Sequence, residues 1–72
     1  MHTFEFDMAL SALKTRAIYE GQARNILVES DQGVRLQLPA SNFYRYVTSD
    51  GIHGRFSVDV DADYKIVALR RL

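Results

Sequence analysis

The chain has no cysteine, one proline, no net charge and no long apolar run. Each absence excludes something. Without cysteine there is neither a disulfide staple nor a Cys-ligated zinc, so an ordinary core or self-association must stabilise the fold. At 72 residues that matters, because so short a chain buries only about 60% of its unfolded surface and is marginal unaided. No stretch approaches the roughly 18 consecutive apolar residues of a membrane-crossing helix. The opening Met1-His2-Thr3-Phe4-Glu5-Phe6-Asp7 has neither the basic nor the apolar region of a secretory signal. A single cytoplasmic domain over residues 1–72 is expected.

Nine basic and nine acidic side chains cancel, which removes the simplest argument for a nucleic-acid partner. The basic set is lopsided, with seven arginines against two lysines. Arginine suits bidentate recognition of carboxylate or phosphate, although most surface arginines are merely solvated or salt-bridged.

What is present is organised around Val47–Val60. Asp50-Gly51 is a turn pair, because glycine accepts positive φ without a Cβ clash. After it Ile52, Gly54, Phe56, Val58 and Val60 alternate with His53, Arg55, Ser57, Asp59 and Asp61, the period of a half-buried strand. Gly54 falls on the apolar face, where a missing side chain marks a bulge, a bend or a close approach.

Phe4, Phe6 and Met8 alternate with polar neighbours as a first strand. Ser11 offers an N-cap to a helix over residues 12–20, with Leu10, Leu13, Ala17 and Ile18 as its apolar stripe and Gly21 as its stop. Arg24–Glu29 and Val34–Leu38 read as a hairpin about Asp31-Gln32-Gly33, ended by Pro39. Ser41 could cap one helical turn through Tyr46, whose Phe43 should pack on the sheet. A turn at Asp61-Ala62-Asp63 and a last strand, Lys65–Arg70, complete the chain.

The expected fold class is α+β, in the order β-α-β-β-(short helical turn)-β-β. Short connections favour a mostly antiparallel five-stranded sheet, a meander in its last four strands, with one short helix. That helix cannot cover five strands, and Ile26-Leu27-Val28 and Ile66-Val67-Ala68-Leu69 are apolar on both faces. Either the Phe43–Tyr46 turn covers the remainder, or the sheet curls toward a barrel, or a second subunit packs on it. Leu27, Ile66 and Ala68 are the candidate self-association residues.

No motif supports catalysis. Ser49, Asp50 and His53 are triad residue types, but all crowd one turn without a G-x-S-x-G elbow or room for a pocket. Asp59-Val60-Asp61-Ala62-Asp63 begins like a calcium loop, yet Tyr64 stands where glycine and Arg70 where glutamate should be. His2 and His53 are too few for a zinc site. Gly51-Ile52-His53-Gly54 fits G-x-x-G but enters a strand, where the RNA-binding clamp joins helices. Outward-facing Arg35, Gln37, His53 and Arg55, with Arg45 and Tyr46 at the edge, would form a single-strand binding face if their strands neighbour each other. Asp50 and Asp59 are the alternative partners for those arginines, in ordinary surface bridges.

Tyr19-Glu20-Gly21, Leu38-Pro39-Ala40, Val47-Thr48-x-Asp50-Gly51-Ile52-His53-Gly54-Arg55-Phe56 and the Arg71-Leu72 ending resemble the DUF2835 family of short bacterial proteins. The likeness covers nearly the whole chain. Arg70 stands where an acidic residue is expected. The resemblance implies no activity. The reading is a non-catalytic binding module without cofactor or metal, its partner itself as a homodimer or another protein. Single-stranded nucleic acid is the alternative.

Overall fold

The computed structural model describes all of Met1–Leu72. Strand β1 (His2–Leu10) buries Phe4, Phe6 and Met8 and exposes the residues between them, as its alternation requires. Helix α1 (Ala12–Tyr19) starts at Ser11, whose Oγ accepts the Lys14 N–H at 3.3 Å. Beyond the helix Gly21 takes φ +81°, the left-handed stop that a residue with a Cβ resists. The expected stripe is displaced, however: α1 buries Thr15 and Ile18, while Leu13 stays 79% exposed. Leu10 belongs to β1, so a stripe counted from it starts on the wrong element.

Strands β2 (Asn25–Glu29) and β3 (Arg35–Pro39) form the expected hairpin. Pro39 closes β3 opposite Asn25. A 3-10 helix over Ala40–Tyr46 follows. Three residues per turn line Ala40, Phe43 and Tyr46 along one side, and Ala40 and Phe43 are buried. Ser41 does not cap it; the N-cap position is Pro39, with no side-chain bond. Strands β4 (Ile52–Val60) and β5 (Ile66–Arg71) complete the fold.

The single five-stranded sheet is not formed. The strands make two antiparallel sheets, β1-β4-β5 and β2-β3, and no barrel closes. Two things override the local rule that consecutive strands pair. The 3-10 helix separates β3 from β4 along the chain, and β1, with nine residues, matches β4 along its full length from His2↔Val60 to Leu10↔Ile52. Of the three ways to cover the apolar faces, the aromatic turn is used, through Ala40 and Phe43. Residues of both sheets, Ile18 and Phe43 form one core. At its centre Phe6, Phe43 and Phe56 are fully buried, with Phe43 edge-on to Phe56 at 5.6 Å and Phe6 stacked on Phe56 at 5.9 Å. No helix is long and apolar enough to cross a membrane.

Candidate interaction surface

The expected Arg–His face is not assembled. β3, which carries Arg35 and Gln37, lies in the two-stranded sheet; β4, which carries His53 and Arg55, lies between β1 and β5 in the other. Their strands are not neighbours. Tyr46 points its ring edge-on at Phe56, 5.1 Å between centroids, and its hydroxyl donates to the Leu69 carbonyl at 3.3 Å. It closes the core and offers no plate to a base.

Arg55 is occupied. Its register opposite Asp7 on β1 puts their side chains on the same outer face. Arg55 Nη1 donates to Asp7 Oδ1 at 3.1 Å, and Nη2 reaches Glu5 Oε1 at 3.5 Å and Asp31 Oδ2. Hydrogen bonds to Asp31 and then Asp7 push the guanidinium further up from its ordinary value. Three carboxylates around one guanidinium leave no spare positive charge for a phosphate. The alternation of Glu5 and Asp7 on β1 was a visible signal for this cluster, but only the β1–β4 register brings it to Arg55.

Two further carboxylates, those of Asp59 and Asp61, are also committed to structure. Asp59 Oδ2 accepts from Arg70 at 3.0 Å and Oδ1 from Thr3 at 2.6 Å, and these bonds lower its carboxyl, Arg70 more than Thr3. Asp61 Oδ1 accepts the backbone N–H groups of Lys65 at 3.0 Å and Asp63 at 2.8 Å, a side-chain-closed turn. Asp50 sits in the tight turn Thr48–Gly51, where Gly51 at φ +107° lies against the Leu10 carbonyl. His53 Nε2 is 2.8 Å from the Asp50 carbonyl oxygen. Triad chemistry is therefore not arranged here: His53 meets a backbone oxygen, not a carboxylate or Ser49.

The candidate self-association residues separate as well. Ile66 and Ala68 line a cleft of about 510 Å³ between β5 and the 3-10 helix, together with Ser41, Asn42, Tyr44 and Arg45. Leu27 lies elsewhere, on the outer face of β2 opposite Gln37. It remains 67% exposed, while its strand neighbours Ile26 and Val28 are buried.

Leu27 borders a seam that sequence reading did not reach. The backbone bond nearest this seam, Asp31 N–H to the Glu5 carbonyl at 2.9 Å, ties β1 to the turn after β2 and not to β2 itself. No ladder continues it, because β1 pairs with β4 and β2 with β3. Two clefts follow the seam. One, of about 270 Å³, runs between Asp7–Leu10 and Ile26–Glu29. The other, of about 300 Å³, is bounded by α1 through Lys14, Ala17 and Ile18. Leu10, Ile26 and Leu27 are common to both, so the trough is continuous and largely apolar.

A protein-family model described as "Protein of unknown function (DUF2835)" matches residues 2–72. The chain belongs to that family, and the resemblance carried by Val47–Phe56 extends over essentially the whole of it. No curated protein and no solved structure matches the chain.

Proposed function

We propose that this family member is a non-catalytic protein-interaction module that self-associates through the trough between β1, β2 and α1. One observation carries the reading: Leu27 keeps 67% of its surface in water at the wall shared by two clefts, of which the one beside α1 is mostly apolar. Full burial of a leucine side chain stabilises by about 1.5–3 kcal/mol, and each copy in a two-fold contact would gain it.

Charge supports a second copy as the occupant. Lys14 stands at the α1 end of the trough and Glu29, opposite Arg35 in the β2–β3 register, at the other end, and neither forms a salt bridge within the fold. A two-fold axis through Leu27 reverses the trough of one copy against that of its partner. Such an isologous contact opposes Lys14 to Glu29 twice.

The test is sedimentation velocity over a range of micromolar concentrations. A species heavier than the 8.2 kDa monomer is expected, and Leu27→Lys should return it to monomer with its circular dichroism unchanged. A sharp wild-type monomer at every concentration would overturn the proposal.

A further inference from the structure

We propose a second binding site, a groove for single-stranded nucleic acid along β5 and the 3-10 helix, which keeps Gln37 and Arg45 of the expected face but none of Arg35, Tyr46, His53 and Arg55. Two clefts meet there, of about 510 and 530 Å³, and they share Asn42 and Ile66. Neither is lined by a carboxylate. The polar side chains that converge on them are Asn25, Gln37, Asn42, Arg45 and Lys65, and none makes a side-chain hydrogen bond or salt bridge within the fold. The groove thus presents two cations, Arg45 and Lys65, among carboxamides, with Asp61 of the adjoining turn within electrostatic reach of Lys65.

Two tyrosines border the same groove. Tyr44 packs one ring face on Tyr19 at 4.7 Å, and Tyr64 lies over His2 at 5.8 Å and Phe4 at 6.2 Å. Each ring is backed on one side, yet Tyr44 remains 40% and Tyr64 52% exposed. Rings held from behind are preorganised stacking platforms, since little side-chain entropy is left to lose.

Tyr64 also holds φ +62°, the one non-glycine residue of the chain with positive φ. The left-handed conformation is disfavoured for a bulky side chain and comes easily to Asn or Gly. The turn alone does not ask for tyrosine, because Asp61 closes it through the backbone N–H groups of Asp63 and Lys65. Strain of this kind clusters where a side chain must be presented.

Each element then has a chemical task. Arg45 and Lys65 meet two phosphates, Tyr44 and Tyr64 stack bases, and the carboxamides of Asn25, Gln37 and Asn42 donate and accept along base edges. An acidic peptide could meet the cations and the carboxamides but brings no base to stack on Tyr44 and Tyr64, so nucleic acid fits the groove better.

Fluorescence anisotropy with labelled twelve-nucleotide oligo-dT and oligo-U probes tests this on the full chain. Two phosphate contacts at a slope of about 0.7 each predict roughly a sevenfold loss of affinity for a fourfold rise in salt. Lys65→Gln should halve that slope. Tyr64→Asn, which tolerates the left-handed backbone, should weaken binding at least about fivefold and leave the slope unchanged. Urea midpoints of both variants establish that they remain folded. No binding at low salt overturns the proposal. So does equal binding of poly-glutamate with no effect of Tyr64→Asn, which would mean a plain anion surface. Leu27→Lys should leave oligonucleotide binding unchanged, so this site and self-association stand or fall separately.

Discussion

The guanidinium of Arg71 lies over the backbone of Gly54: a Cβ on Gly54 would sit 2.9 Å from Arg71 Nε and 3.3 Å from Nη2. Gly54 also holds φ +137°, a conformation that side chains rarely adopt. The close approach expected from a glycine on the apolar face is therefore real, and what approaches is the end of β5.

Gly54→Val should accordingly destabilise the fold by about 1–3 kcal/mol, from overpacking together with backbone strain. Arg71→Ala added to it should recover only part of the loss, because the flexible guanidinium can move and the backbone cannot. Urea unfolding of the single and double variants measures both terms. An unchanged midpoint for Gly54→Val would mean that the β4 backbone relaxes freely there.

Thr15 is 3% exposed and its Oγ1 has no hydrogen-bond partner. A buried, unsatisfied hydroxyl costs about 1–3 kcal/mol. Thr15→Val keeps the shape and removes the polar atom, so it should raise stability by about 1 kcal/mol. Thermal unfolding shows it as a higher Tm; a lower one would reveal a partner for the hydroxyl.

Arg55→Ala should lower the urea midpoint, since Glu5, Asp7 and Asp31 then repel one another without a shared cation. These groups are partly exposed, so added salt should shrink the effect. Oligonucleotide affinity should not fall in this variant. A fall, with a smaller salt slope, would restore the Arg55 face as a nucleic-acid site.

Stability should decline in acid. Asp59 is lowered by Arg70 and Thr3, and Asp61 by the Lys65 amide and, behind it, the Asp63 amide. A carboxyl lowered by folding favours the ionised native state. Its contribution is complete above the ordinary value of 3.8 and is lost as pH falls below that. Urea midpoints between pH 7 and pH 2 should fall mainly in the lowest part of this range, and Arg70→Gln should flatten that fall.

The sequence by itself determined the elements and their faces. Strict alternation marked Phe4–Met8 and Ile52–Val60, and those apolar residues are buried, apart from Gly54, which lies beneath Arg71. Ser11 and Gly21 bounded α1, and Phe43 announced itself as core because three aromatics in four residues, Phe43, Tyr44 and Tyr46, are too costly to leave in water. Leu27 was legible as the outward leucine of β2. All of these follow from local backbone geometry and side-chain chemistry. Tertiary structure alone decided which strands meet. Pairing β1 with β4 spans most of the chain, and its gain comes from matching nine residues and stacking Phe6 on Phe56, which no short window contains. That pairing moved Arg55 away from Arg35 to the carboxylates of β1, and Gln37 lines a cleft with Lys65 instead. It also left the seam at Leu27 open. Local pattern fixes which way a side chain faces; long-range pairing chooses what it faces.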